Sequence, residues 1–251
     1  MQIFSKTDIG KVRATNQDAF AFEELPDGKL LIIVCDGMGG ANAGNIASEN
    51  AVRIIKDYFL RSYRKGSDST ADANLLKNAV ASANLEIYDM SVKNPEYTGM
   101  GTTVVAGVVS ESKAVICHAG DSRVYLVNDD VVQLTRDHSV VQSLIESGKL
   151  SASEAKFHPK KNVITRALGA ESNIISDICE TPLKKDDFLI FCTDGLTNFT
   201  ENEDIKKILD SSEEKDVAKA LVDKANSNGG GDNITVVAVR LTRAETGFDK
   251  V

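Results

Sequence analysis

The chain has 251 residues, 42% of them hydrophobic and 26% charged, with 18 Gly and 4 Pro. That balance excludes a disordered, collagen-like or low-complexity chain, and at this length about three quarters of the unfolded surface can be buried without disulfide staples. The net charge of −8 argues against nucleic acid as a general partner, because binding it means neutralising phosphates with Lys and Arg; it suits a protein that holds cations.

Taken in order, residues 18–25 alternate as a strand, Pro26-Asp27-Gly28-Lys29 supplies turn chemistry, and residues 30–35 are continuously apolar. Ala47, Ala51, Ile54, Ile55, Tyr58 and Phe59 stand at helical spacing and predict a helix over 45–63. Leu76, Ala79, Ala83, Ile87 and Met90 predict another over 71–92. Strands are expected at 102–109, 114–118 and 123–127, the last leading into an Asn128-Asp129-Asp130 turn. From 143 to 166 the pattern turns polar, basic and small, with a short helix opened by a Ser151/Glu154 capping box, and reads as a flap outside the layers. A strand at 188–192 follows. Thr200 with Glu203 reads as a capping box for a helix holding Ile205, Ile208 and Leu209, and Val217, Leu221, Val222 and Ala225 mark one more helix before a last strand at 234–241.

The runs LLIIV, TTVVAGVV and ITVVAV are apolar on both faces, so the sheets should be covered on both sides, and tight turns between neighbours imply antiparallel pairing. The expected fold is α+β, a four-layer α-β-β-α sandwich of two antiparallel sheets flanked by helices, with a small flap. Residues 1–241 read as a single domain and 242–251 as a polar tail. Cys35, Cys117, Cys179 and Cys192 are widely spaced and form no C-x-x-C pair, as expected of reduced, buried thiols in the cytoplasm. The first ten residues, MQIFSKTDIG, carry no signal-peptide pattern, and no apolar run approaches the ~20 residues that cross a bilayer, so no membrane is expected as a partner.

Five aspartates stand at strand ends: Asp18, Asp36, Asp121, Asp194 and Asp232. Asp36 and Asp194 terminate apolar strands, while Asp18 and Asp232 begin them. In antiparallel sheets the end of one strand lies beside the start of its neighbour, so these four can share one edge. If Leu25 pairs with Leu30, paired positions sum to 55, which sets Asp18 opposite Gly37 and next to Asp36. Any one Asp-Gly is a turn signal, and Asp27-Gly28 reads as only that. Several acids converging on one edge is a different matter. Clustered carboxylates repel, and with Arg13 and Arg123 the only arginines nearby, hard divalent ions such as Mg²⁺ or Mn²⁺ are the natural compensation.

Two other readings compete. Cys117 to Arg123 satisfies the C-x5-R spacing of thiolate phosphatases, but Arg123 opens a strand pattern where that chemistry needs a helix N-terminus. A non-catalytic, metal-stabilised binding domain is the second. The full acidic set with Arg13 argues against it. His118 belongs to its strand, His138 to a helix cap, and Lys160 and Lys161 to a solvated flap surface that could favour acidic phosphopeptides.

Thr7-Asp8-Ile9-Gly10 with Arg13 and Asn16-Gln17-Asp18, then Asp36-Gly37-Met38-Gly39-Gly40, Gly120-Asp121-Ser122-Arg123, Asp194-Gly195 and Asp232-Asn233-Ile234-Thr235 resemble, in order, the motifs of the metal-dependent protein serine/threonine phosphatases of the 2C type. The stretch up to Ile164-Thr165-Arg166-Ala167-Leu168-Gly169 is similar to the flap of the bacterial branch. The resemblance implies a β-sandwich with a dinuclear Mn²⁺ or Mg²⁺ centre: Asp36 bridging both ions, Asp194 and Asp232 completing one site, the Gly37 carbonyl serving the other, and Asp18 acting through water. Asp121 with Asp194 resembles the pair that holds a third, weaker ion. The implied reaction is hydrolysis of phosphoserine or phosphothreonine by a water activated between two metal ions, with Arg13 binding phosphate. The implied partners are phosphorylated proteins, including a bacterial-type serine/threonine kinase and its targets, met by a monomer. Animal members carry His where this chain has Met38, and a thioether donates no proton, so the general acid must be a water or another residue.

Overall fold

The apolar runs become strands and the amphipathic stretches their cover. The structure, a computed structural model, describes residues 1–211 and 216–242, apart from the side chains at 41 and 42. In chain order it builds β1 (Gln2–Asp8), β2 (Asp18–Glu24), β3 (Leu30–Met38), α1 (Gly40–Ser62), α2 (Ser69–Lys93), β4 (Gly101–Thr102), β5 (Val104–Val109), β6 (Lys113–Ala119), β7 (Arg123–Val127) and β8 (Val131–Gln133). There follow α3 (Val140–Glu146), α4 (Ala152–Ala155), β9 (Asp177–Pro182), β10 (Phe188–Cys192), α5 (Asp194–Thr197), α6 (Asn202–Asp210), α7 (Val217–Ser227) and β11 (Ile234–Arg240). One sheet runs β1-β11-β10-β7-β8; the other runs β2-β3-β5-β6-β9, with β4 also on β3. All pairings are antiparallel.

Three apolar clusters separate four layers. Leu31, Ile33 and Cys35 on one face of β3 pack with Ile55, Phe59 and Ile87 of α1 and α2. The other face, Ile32 and Val34, meets Phe191 and Val237 of the second sheet. Ile190, Val236 and Ala238 then turn outward onto Leu221 and Val222 of α7. Strands buried on both faces explain their uninterrupted apolar runs, and truncating a ring such as Phe191 to Ala would cost about 3–5 kcal/mol. The sandwich is the α+β arrangement the sequence predicts.

Three local expectations are corrected. In the β2–β3 hairpin the Leu25 N–H donates to the Lys29 carbonyl (2.8 Å) and Gly28 N–H to the Leu25 carbonyl (2.9 Å), so the loop is three residues long with Gly28 at φ 78°. This moves the register by one, and Asp18 pairs with Asp36 itself rather than with Gly37. Thr200 does not cap α6; Glu201 holds the N-cap position without a side-chain bond, and the Thr200 hydroxyl turns back to the Leu196 carbonyl. The expected strand at 102–109 breaks at Thr103. The Ser151/Glu154 capping box is present at α4, and residue 242 apart, the expected tail lies outside the described residues.

Candidate metal centre

Both sheets deliver their acids to the same end of the sandwich. Asp18 opens β2 and Asp36 lies opposite it near the end of β3. Asp194 opens α5, two residues beyond β10, and Asp232 lies two residues before β11. Asp121 stands in the turn between β6 and β7. A cavity of about 430 Å³ opens there, walled by Asp36, Asp121, Asp194 and Asp232, with Gly37 and Arg13. Asp18, beside Asp36 on the neighbouring strand, does not line the cavity itself. A Cβ at Gly37 would meet the Gly44 carbonyl oxygen at 2.0 Å, so only glycine lets β3 pass so close to α1.

Hydroxyls and amides, more than cations, set the acids. Thr193 and Thr235 donate to Asp18 Oδ2 at 2.9 and 2.7 Å, tying the first strand of one sheet to the second sheet. Asn198 Nδ2 donates to Asp194 Oδ2 at 2.9 Å. The Asp36 N–H donates to Thr103 Oγ1 (2.9 Å), whose hydroxyl pairs with Ser122 (2.7 Å) beneath the cavity floor. Asn233 holds the Arg13 loop: its amide donates to the Ile9 and Thr15 carbonyls, both at 3.0 Å, and its oxygen accepts from the Gln17 N–H at 2.9 Å.

These donors leave charge uncompensated. Burial, then the neighbouring Asp18, Asp194, Asp121 and Asp232, push Asp36 well above the ordinary carboxylate range. Burial first, and nearby carboxylates after it, raise Asp18 and Asp121 to about 7. Asp194 is raised as well, by burial and then Asp232, although it lies within hydrogen-bonding reach of Asp36. Arg13 is the cation at the mouth, and its Nη2 donates to Asp232 Oδ2 at 2.7 Å. Asp18 Oδ1 and Asp194 Oδ1 are buried with no hydrogen-bond partner. Buried, unpartnered carboxylate oxygens among raised acids fit hard divalent ions with oxygen ligands.

The sequence-predicted set therefore converges, with Arg13 found on Asp232. Sequence reasoning missed Thr193, Thr235, Thr103, Asn198 and Asn233 as holders of the acids; their signal was a polar residue interrupting an apolar strand end, as in FCTDG and NITVV. It also missed Asn162 and Ile164, which bring the segment after α4 onto the cavity wall. The C-x5-R reading fails. Cys117 is buried within β6 and burial raises its thiol to about 11, while Arg123 donates three hydrogen bonds to Asp137 rather than facing an open anion site.

Such a pocket is built to hold hard divalent metal ions. Comparison with known proteins narrows the class: a family model described as protein phosphatase 2C matches residues 11–224. The chain is similar to the serine/threonine phosphatase stp of Listeria innocua, with 39% identity over 249 residues covering 97% of each chain. It is also similar to the solved serine/threonine phosphatase of S. agalactiae, at a TM-score of 0.89 and 36% identity over 96% of this chain and 99% of that one. The catalytic domain of the phosphatase PstP, solved with 2 manganese ions, matches at a TM-score of 0.81 and 29% identity, covering 94% and 96%. The chain belongs to the protein phosphatase 2C family, in its bacterial branch, and is a metal-dependent serine/threonine protein phosphatase. No helix among the described residues is long and apolar enough to cross a membrane.

Proposed function

We propose that two ions, Mn²⁺ or Mg²⁺, would be held here, with Asp36 shared between them, Asp194 and Asp232 serving one and the Gly37 carbonyl the other. Asp18 would act mostly through bound water, and Asp121 with Asp194 would hold a third, weaker ion. The observation that carries this reading is the pair of orphaned oxygens, Asp18 Oδ1 and Asp194 Oδ1, among acids that burial and mutual repulsion hold above their ordinary range. Bound there, the pair would supply Lewis acidity and an activated water for in-line attack on phosphorus.

The chain's own residues do the rest. Arg13, which lies on Asp232 at the mouth, offers a planar fork that can hold two oxygens of the phosphate there. Thr193 and Thr235 keep Asp18 Oδ2 engaged and so fix the direction of Oδ1, as Asn198 does for Asp194. The Met38 thioether at the wall gives no proton, so the leaving alkoxide must draw its proton from water or from another residue.

Residues 1–241 act as one catalytic domain, a cytoplasmic monomer whose flap meets phosphorylated proteins, among them a serine/threonine kinase and its targets. Hydrolysis of p-nitrophenyl phosphate and of a phosphothreonine peptide, with Mn²⁺ and then with excess EDTA, tests the reading. Turnover of both, lost on chelation, is expected; metal binding without turnover would make this a phosphoprotein-binding domain instead.

A further inference from the structure

Near the base of the flap lies a buried pair of rings, His118 and His138. His138, 5% exposed, precedes α3 where the chain leaves the sandwich. Gly120 N–H donates to His138 Nδ1 at 3.1 Å, and His138 N–H donates back to the Gly120 carbonyl at 2.9 Å. Gly120 is therefore clamped twice by the same residue, and the next residue along is Asp121.

The other side of the ring faces the flap. With Nδ1 accepting, the ring proton sits on Nε2, which donates to Asp177 Oδ2 at 3.1 Å. Asp177 Oδ1 in turn accepts from Arg166 Nη1 at 2.8 Å, and the Thr165 N–H donates to the His138 carbonyl at 2.7 Å. Ser139 caps α3 and bridges to Ile164. Both roots of the flap, outgoing at 138–139 and returning at 164–166, thus meet on His138. The ring also stacks on His118 of β6, centroids 4.8 Å apart and 3° from parallel.

His118, His138 and Asp177 offer ligand atoms within 4.8 Å of one another, yet the trio is poorly suited to a metal of its own. Both His138 nitrogens are engaged, the Arg166 guanidinium lies 3.0 Å from Nε2, and His118 Nε2 is bonded to the Arg136 carbonyl at 3.0 Å. The cluster holds backbone instead.

We propose that His138 is a positioning residue that fastens the Gly120–Asp121 turn to both roots of the flap, so that ion binding at Asp121 and the placement of the flap are coupled. The inference rests on the reading that Asp121 holds an ion. Groups that orient a ligand from behind typically change metal affinity about 10–100-fold when removed.

The test is calorimetric titration of the whole chain with Mn²⁺, beside tryptic cleavage after Lys160 and Lys161 in the flap. His138→Phe keeps a ring over His118 but loses both side-chain bonds. His138→Asn places an amide oxygen where Nδ1 accepts from Gly120. The weakest Mn²⁺ site is expected to weaken about 10–100-fold in His138→Phe and to recover most of that in His138→Asn, with the tight sites unmoved. Mn²⁺ should slow flap cleavage in the parent and not in His138→Phe. Should His138→Phe lack a cooperative melt, Arg166→Gln, cut at the half-exposed end of the same chain of bonds, is expected to shift the weak site in the same direction. An unshifted weak site, equal losses in Phe and Asn, or weakening of every site together would overturn the proposal. Asp121→Asn separates the two claims. If its titration matches the parent, no ion sits at Asp121 and both claims fall; if it shifts while His138→Phe does not, only the role of His138 falls.

Discussion

The β2–β3 hairpin carries half-buried acids at both ends, and the two ends are built in opposite ways. At the turn, Asp27 accepts from the Tyr63 hydroxyl at 2.9 and 2.8 Å and from the Gly66 N–H at 2.9 Å. Lys29 beside it donates to Asp72 at 2.8 Å and to the Ser67 carbonyl at 2.6 Å. Burial alone would raise Asp27, but Gly66, Tyr63 and Lys29 together bring it below the ordinary carboxylate range. At the open end Asp18 and Asp36 face each other without a cation of their own, and both are raised. The same residue type is structural where the chain supplies its partner. It is functional where the partner must arrive from solution.

The comparison can be broken most sharply at Asp36. Asp36→Asn should lower turnover at saturating Mn²⁺ by more than about 100-fold, since it removes the carboxylate proposed to serve both ions. Arg13→Ala should lower kcat/KM by about 10–100-fold, mainly through KM, with Arg13→Lys recovering part; an unchanged KM would remove Arg13 from the phosphate.

Stability should then move in opposite directions at the two ends. Asp72→Ala removes the carboxylate that Lys29 bonds at 2.8 Å, leaving the ammonium on the Ser67 carbonyl, and should cost about 1–3 kcal/mol with Mn²⁺ dependence unchanged. Asp18→Asn should stabilise the metal-free protein at pH 8 by about 1–2 kcal/mol, because it removes a buried charge that lacks a cation. The pH dependence has the matching sign. Asp18 and Asp121 titrate near 7 in the fold and near 4 unfolded, so between those values the folded state holds protons the unfolded chain has released. Metal-free stability therefore falls as pH rises through that window, and Mn²⁺, which binds the ionised acids, should abolish the fall. Thermal melts from pH 4 to 8 with and without Mn²⁺ read this directly. The smallest effect is expected at Cys117, where Ser should keep activity within about twofold, as β6 buries the thiol away from the acids.

Much of this was legible in the residues. Strands buried on both faces announce themselves as long apolar runs, and the acids at their ends were placed in one pocket by antiparallel logic alone. What escaped was governed by local backbone geometry or by edges. The loop at Pro26-Asp27-Gly28 is one residue shorter than the turn chemistry suggested, which shifted Asp18 onto Asp36. Edge strands β1 and β9, covered on fewer sides, lack the apolar density that marks β3 or β11. Thr200 and Glu203 have capping-box spacing, but the Leu196 carbonyl takes the hydroxyl first. His138 read as part of a helix cap; Ser139 does the capping, and the link of His138 to Gly120 spans too much chain for any local pattern to reveal.

Crystals equilibrated with saturating Mn²⁺ and measured for anomalous scattering would ask the central question outright. Two strong peaks flanking Asp36, with Asp194 and Asp232 reaching the same ion and Arg13 swung off Asp232, are the expected result. A pocket without anomalous density, with Arg13 still on Asp232, would contradict the account.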